Sequence, residues 1–181
     1  MSTEAGGTLI RSGPFSTERR LARCHSIADL RRCAERRLPR AVFDYADGAA
    51  EDEVTLARNT SAFDAYELLP RTLVDVSDVD LSTSVLGQPV DLPLILAPTG
   101  FTRLFHHRGE IAAALAAREA GLLYTLSSLS TTSIEDLAAA VPGPHWFQIY
   151  VWRNRSVLKE FIERCRASCY ATLCLTVDMP T

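Results

Sequence analysis

Four continuous apolar runs in the second half of the chain limit its fold more than any other feature. They begin at residues 94, 122, 146 and 171, in the segments LILA, LLYTLS, WFQIYV and ATLCLTV. Such runs are typical of parallel strands covered on both faces. Helical patterns separate them, in GEIAAALAAREA, which Gly121 ends, in SIEDLAAAV and in VLKEFIERCRA. Intervals of 28, 24 and 25 residues suit strand–helix units joined by short loops, so the sequence predicts an α/β fold.

Three short helices are predicted before the first of these strands. Ser26 is a candidate N-cap for the amphipathic segment SIADLRRCAERR. Pro39 stops this helix and suits the first turn of the next, RAVFDYA, which Gly48 ends. A third helix is expected to begin at the acidic residues 51–53, which favour the positive end of a helix dipole, and to run toward Phe63.

The segment STSVLGQPVDLP predicts a small hairpin between these helices and the first strand. Its two short extended pieces are expected to turn at Gly87 and Gln88. Pro89 and Pro93 have no amide hydrogen to donate, which limits strand pairing here to an edge.

Two architectures produce an alternation of strands and helices, an open doubly wound sheet and an eight-stranded (β/α)8 barrel. Periodicity alone does not choose between them. No G-x-G-x-x-G follows the first strand, which removes the best-known support for a dinucleotide-binding open sheet and favours the barrel. Four strands are half of the eight that a complete barrel needs.

Length and composition suit one domain of ordinary size, with 181 residues of which 47% are hydrophobic. The sequence contains neither an apolar run of about 18 residues nor the pattern of a secretory signal, so we expect a cytoplasmic protein. Residues 1–25 are expected to be a disordered leader. The net charge of −3 does not suggest nucleic acid binding.

No metal site is predicted. The five cysteines are an odd number without C-x-x-C spacing, and we interpret them as reduced thiols. The adjacent His106 and His107 follow the first strand, but neighbouring residues seldom chelate one metal together, so exposed histidines are expected.

Polar residues end all four predicted strands. In both architectures ligands bind at the carboxyl ends of the strands. Strand periodicity places Gln148 with Tyr150, and Thr176 with Asp178, on one face of the sheet. Polarity also resumes wherever a strand enters solvent, but four polar ends in succession favour a ligand site. The strand ends are Ala97-Pro98-Thr99-Gly100, Ser127-Ser128, Gln148-Ile149-Tyr150 and Thr176-Val177-Asp178.

Five separated segments resemble one enzyme family in the same order. They are LPRAVFDYADGAAEDEVTLARN, LPLILAPTG, YTLSSLSTTSIEDLA, WFQIYVWRNR and LTVDMPT. The family is that of the FMN-dependent 2-hydroxy acid oxidases and dehydrogenases, which includes glycolate oxidases, flavin-type lactate dehydrogenases and mandelate dehydrogenases. The resemblance covers residues 26–181 and implies a (β/α)8 TIM-barrel type fold, of which this chain carries the N-terminal helices and the first four strands.

The resemblance also implies roles for nine residues. Backbone groups of Pro98, Thr99 and Gly100 would lie against the flavin of FMN, and Ser127, Gln148 and Thr176 would hydrogen-bond its polar ring edge. The catalytic set would be Tyr45 and Tyr150, which contact the substrate, and Asp178, which orients a catalytic histidine and stabilises its protonated form.

The implied reaction removes the hydroxyl proton of a small 2-hydroxy acid with a histidine base and passes the C2 hydrogen to the flavin as hydride. Electrons then leave to oxygen or to another acceptor. The family's histidine base, substrate-binding arginines, flavin-contacting lysine and phosphate-binding glycines have no counterpart in these 181 residues. We therefore expect the chain alone to hold little FMN and to be inactive. The rival hypothesis is a noncatalytic half-barrel that binds a ligand or serves assembly.

The resemblance leaves the particular substrate open. Leu129 stands where glycolate oxidases carry a bulky tryptophan, so lactate or an aryl 2-hydroxy acid such as mandelate is expected. A homo-oligomer is implied for the intact domain. Some relatives carry a membrane-associating segment just after the fourth strand, so membrane association stays undetermined.

Overall fold

The computed structural model describes residues 20–178. Most of the predicted leader, residues 1–19, lies outside the described residues. The described residues form two compact units, 20–67 and 68–178. No helix among them is long and apolar enough to cross a membrane. All five cysteines fall within the described residues and are free thiols.

The first unit contains the three predicted helices. Ser26 caps the first with a reciprocal capping box that includes Asp29, as the sequence predicts. Pro39 precedes the second helix as its N-cap, where the sequence had placed it in the first turn, and Gly48 ends that helix. The third begins one residue after the acidic cluster. The helices are α1 (Ile27–Glu35), α2 (Arg40–Asp47) and α3 (Val54–Ser61), and a 3-10 turn (Ala62–Ala65) follows α3.

An ion pair and a cation–π contact join α1 to α2. The guanidinium Nε of Arg31 donates to Oδ1 of Asp47 at 2.5 Å, and its Nη2 donates to Oδ2 at 2.6 Å. The same guanidinium lies 5.5 Å from the ring centre of Phe43. These contacts fix the hairpin of two short helices, whose amphipathic faces are too short to be stable alone.

The second unit opens with the predicted antiparallel hairpin, β1 (Thr83–Val85) and β2 (Gln88–Val90). Its turn lies at Leu86 and Gly87, so the predicted turn at Gly87 and Gln88 was one residue too late. Both turn residues have positive φ, +49° and +78°. This geometry matches the right-handed twist of a two-residue hairpin, and the sequence obscures it because leucine is unusual there.

Four parallel strands form the main sheet in the order β3-β4-β5-β6. One α-helix separates each strand of this sheet from the next along the chain, which confirms the predicted alternation. The first strand is shorter than predicted. The elements are β3 (Ile95–Leu96), α4 (Gly109–Glu119), β4 (Leu123–Ser127), α5 (Ile134–Ala140), β5 (Trp146–Tyr150), α6 (Arg155–Ala167) and β6 (Thr172–Thr176).

Gly121 makes the return from α4 to β4 possible. Its φ is +65°, and a Cβ atom at this position would lie 2.0 Å from a carboxylate oxygen of Asp91. The backbone of Asp91 donates to the Gly121 carbonyl at 2.9 Å. Only glycine fits both the conformation and the close approach, which explains why the helix ends here.

The larger hydrophobic core lies between the sheet and its helices. Alternate strand residues point into it, and small helix residues allow close packing. Its buried members are Ala114, Ala117, Tyr124, Leu126, Ile134, Leu137, Val141, Phe147, Ile149 and Cys165. On the opposite, inner face of the sheet, Val90 of the hairpin packs against Leu123 and Trp146 near the amino ends of the strands. The inner face is therefore apolar at one end, away from the polar strand ends.

The last strand departs from the sequence prediction. Burial on both faces holds for β4 and most of β5, but in β6 exposed residues alternate with half-buried ones. Leu173 and Leu175 are 41% and 54% exposed. The prediction of two covered faces was wrong for this strand because β6 is the edge of the described sheet.

Candidate flavin site

Ser127, Gln148 and Thr176 lie side by side at the carboxyl ends of β4, β5 and β6. The register pairs Ser127 with Gln148. Gln148 pairs in turn with Cys174, so Thr176 lies two residues further toward the carboxyl end of β6. All three side chains belong to the inner face of the sheet. The structure thus brings together the three residues predicted to bind the flavin ring edge.

The Gln148 amide is the centre of this hydrogen-bonded row. Its Oε1 accepts a hydrogen bond from the Ser127 hydroxyl at 3.1 Å and further bonds from the backbone N–H and hydroxyl of Ser128 at 3.3 and 3.4 Å. Its Nε2 donates to Oγ1 of Thr176 at 2.5 Å. The residue is 3% exposed, so its orientation is set by these partners and by the sheet.

The loop after β4 extends the row toward β3. The backbone N–H of Leu129 donates to the Ser127 hydroxyl at 3.1 Å, and the Leu129 carbonyl accepts from the N–H of Phe101 at 3.0 Å. A Cβ atom on Gly100 would lie 3.1 Å from Cβ of Leu129. The loops after β3 and β4 are therefore in contact, and glycine at 100 permits that contact.

The backbone segment predicted to face the flavin follows β3 directly. Pro98 and Thr99 are exposed, and Gly100 is half-buried. The hydroxyl of Thr102 donates to the Thr99 carbonyl at 3.3 Å, which closes a turn. Phe101 adopts the left-handed region with φ of +53°, a conformation that costs a bulky residue energy.

The three predicted catalytic residues lie on three different parts of the fold. Tyr150 is the last residue of β5 and is partly exposed, next to Thr176 in the register. Asp178 lies two residues beyond β6 and is exposed. Tyr45 lies on α2 in the first unit. The roles of these three side chains stay predictions.

Glu110 is a buried residue that the sequence reasoning missed. It lies in the first turn of α4 and is 0% exposed. Burial acts to raise the pKa of its carboxyl group, but hydrogen bonds from Thr131 and Thr132 outweigh that effect and lower the pKa to about 2. The sequence signal is weak, because a glutamate in a first helical turn is normally a solvated partner of the helix dipole.

Comparison with known proteins gives the family. Residues 34–181 match the model of the FMN-dependent dehydrogenases. The chain belongs to this family. It is 51% identical over 166 residues to a putative L-lactate dehydrogenase of Mycobacterium tuberculosis. The aligned region covers 91% of this chain and 40% of that protein. It is 40% identical over 147 residues to the glycolate oxidase of Spinacia oleracea, with coverage of 81% and 40%. The chain thus spans about 40% of the length of these curated relatives.

Solved structures confirm the fold. An oxidized active mutant of (S)-mandelate dehydrogenase superposes with a TM-score of 0.82 at 39% identity, over 86% of this chain and 44% of that one. A mandelate oxidase superposes with a TM-score of 0.81 at 37% identity, over 86% and 47%. The strand–helix units described above are therefore part of a barrel of the (β/α)8 type, as predicted.

FMN is the cofactor of this family, and the donor set at the strand ends fits it. The polar edge of a flavin ring presents both carbonyl oxygens and an N–H group. The hydroxyls of Ser127 and Thr176 can donate or accept, and the Gln148 amide offers one group of each kind. Ser127 and Gln148 are buried and Thr176 is half-buried, which limits competition from water and strengthens such hydrogen bonds.

Proposed function

We propose that the full-length protein to which these 181 residues belong oxidises a small L-2-hydroxy acid to the 2-oxo acid with FMN. The observation that carries the proposal is the hydrogen-bonded row formed by Ser127, Gln148 and Thr176 at three neighbouring strand ends. Relatives named lactate dehydrogenase, lactate oxidase and glycolate oxidase support this reaction class.

In this proposal the strand-end residues bind the flavin ring of FMN. The row of Ser127, Gln148 and Thr176 orients the flavin ring and polarises its edge by hydrogen bonding. FMN, when bound, supplies the hydride-accepting chemistry. Backbone groups of residues 98–100 support the ring, because a chain without large side chains can approach it closely.

Two phenols would hold the substrate, and a carboxylate would position the base. Tyr45 and Tyr150 donate hydrogen bonds to the carboxylate and hydroxyl of the 2-hydroxy acid. Asp178 positions the histidine base, as carboxylates do in other catalytic pairs. The exposure of Asp178 at the end of β6 leaves it accessible to such a partner.

Leu129 supports a substrate larger than glycolate. It is partly exposed at the mouth of the strand ends, where its backbone joins the loops after β3 and β4. A leucine leaves more room than a tryptophan, so we propose lactate or a mandelate-like acid. The change of one side chain in a pocket alters selectivity by about 1–3 kcal/mol.

A noncatalytic assembly module is the second candidate, and the exposed Leu173 and Leu175 favour it. The two candidates differ in turnover. Steady-state rates with L-lactate, L-mandelate and glycolate should be measured on the FMN-loaded full-length protein. Oxidation of lactate or mandelate supports the enzyme, a preference for glycolate contradicts the substrate assignment, and no oxidation of any of the three contradicts the proposed reaction.

A further inference from the structure

Glu110 is a buried charge to which the proposed function gives no task. Its carboxylate accepts hydrogen bonds at both oxygens. Oε1 accepts from the backbone N–H of Thr131 at 2.7 Å, and Oε2 accepts from the hydroxyls of Thr131 and Thr132 at 2.7 and 2.8 Å. Among residues 20–178, no cationic side chain lies within salt-bridge distance of it. Apart from the backbone N–H of Glu110 itself, its hydrogen-bond donors all lie in one short stretch of loop.

A buried carboxylate without a counter-ion is costly unless hydrogen bonds satisfy it fully. Apolar residues of similar size would fill the same space without that cost. An interaction with the helix N-terminus alone does not require a fully buried carboxylate. We therefore look for the role of Glu110 in the residues that its carboxylate binds. Its partners, Thr131 and Thr132, lie in the loop that leads from β4 to α5.

This loop begins with the residues of the flavin site. At its start, Ser127 and Ser128 are bonded to the Gln148 amide. In its middle, Leu129 receives the N–H of Phe101 from the loop after β3. At its far end, Glu110 binds Thr131 and Thr132. Gln148 and Glu110 thus anchor the same short loop from opposite ends.

We propose that Glu110 is a positioning residue for the flavin site, which acts through the loop of residues 128–132 to fix Ser127 and Leu129 against the cofactor. The proposal rests on the proposed function, because it assigns the row at the strand ends to FMN. Glu110 itself touches neither FMN nor substrate.

The alternative is that Glu110 only stabilises the fold. Glu135 provides a matched control because it is also a glutamate in the first turn of a helix, α5. Its carboxylate binds the guanidinium of Arg164 on α6 at 2.8 Å, outside the loop. Glu110→Gln and Glu135→Gln therefore each remove one negative charge, and only the first weakens the anchor of the loop.

The test measures FMN affinity, loop hydrogen exchange and thermal unfolding of the full-length protein and both variants. We expect Glu110→Gln to weaken FMN binding by about tenfold, because a neutral amide accepts weaker hydrogen bonds and holds the loop less firmly in its binding conformation. We also expect faster amide exchange at residues 128–132 in this variant, measured without FMN. Glu135→Gln should change neither property, whatever its effect on the unfolding temperature.

Thr132→Val and Thr132→Ser provide a second pair in case Glu110→Gln does not fold. Valine removes one donor to the carboxylate and serine restores it, so FMN affinity should fall in the first variant and recover in the second. The proposal would be overturned if FMN affinity and loop exchange were both unchanged in Glu110→Gln. If only Thr132→Val folds, the same result in that variant would overturn it. If the parent protein binds no FMN, the proposed function fails, and loop exchange still decides whether Glu110 anchors this loop.

Discussion

The side-chain amide of Gln148 donates to the Thr176 hydroxyl at 2.5 Å and ties the end of β5 to the end of β6. In the strand register, Gln148 is opposite Cys174 and Thr176 is opposite Tyr150. The bond therefore runs diagonally toward the carboxyl edge of the sheet. Gln148 leans toward the side where barrel enzymes bind their ligands.

Replacing Gln148 by leucine is expected to abolish most FMN binding. The substitution keeps the size of the side chain but removes the acceptor of three hydrogen bonds and the donor of one. Leucine can neither hydrogen-bond the flavin nor orient Ser127 and Thr176 toward it, so the FMN dissociation constant should rise by about tenfold or more. Isothermal titration with FMN measures the change.

Gln88→Leu is the matched control, since Gln88 lies in the hairpin strand β2, in a different sheet from the candidate site. Its FMN affinity should equal that of the parent protein. Equal affinity in both variants would show that Gln148 does not bind the cofactor.

Replacing Leu86 by asparagine is expected to stabilise the protein. Leu86 is 71% exposed and has φ of +49° in the hairpin turn. A leucine in the left-handed region costs about 1–2 kcal/mol, whereas asparagine tolerates it. The free energy of unfolding should rise by about 0.5–1 kcal/mol in denaturant titrations. Leu86→Val, which is β-branched, should have the opposite effect, and a stabilising valine would show that the turn is not strained.

The contribution of Glu110 to stability is expected to depend on pH. Its pKa is about 2 in the folded protein against 4.5 as a free side chain. Because the folded value is lower, the contribution is fully present above pH of about 4.5 and is lost as the pH falls through about 2. Tyr124, whose pKa is raised by burial and then by the charge of Glu110, stays neutral over this range.

Urea unfolding of the parent protein and of Glu110→Gln at a series of pH values measures this effect. The difference in unfolding free energy between the two proteins should shrink as the pH falls from about 5 toward 2. A difference that is constant with pH would mean that the carboxylate is not ionised in the fold.

Replacing Leu129 by tryptophan is expected to move selectivity toward glycolate. The larger ring would fill space at the strand ends that a substrate side chain occupies. The ratio of kcat/KM for lactate to that for glycolate should fall by about 10- to 100-fold, which corresponds to about 1–3 kcal/mol. Leu129→Met, which conserves volume, should leave the ratio almost unchanged. A ratio unaffected by tryptophan would place the substrate elsewhere.

Sequence patterns predicted much of the fold because each helix and strand carries its own local signal. Apolar runs gave the four parallel strands, and Ser26 gave the start of α1 through a local capping box. The predictions failed where tertiary context decides. The hairpin turn at Leu86 has no glycine or asparagine at its first position, and the exposure of Leu173 and Leu175 follows from their place at the sheet edge.

The candidate site was predictable only in part. Gln148, Ser127 and Thr176 could be grouped because carboxyl ends of parallel strands meet at one edge of the sheet. Glu110 could not, since 21 residues separate it from Thr131 and only the packing of α4 against the sheet brings the two together. A helical glutamate carries no sequence mark that distinguishes a buried carboxylate from a solvated one.

A crystal structure of the full-length protein with FMN bound tests the central claim most directly. The measurement is the distance from the Gln148 amide, the Ser127 hydroxyl and the Thr176 hydroxyl to the nearest polar atoms of the flavin ring. We predict that all three lie within hydrogen-bond distance, about 2.7–3.2 Å. A flavin ring bound elsewhere, with Gln148 still bonded only to Ser127, Ser128 and Thr176, would contradict the account.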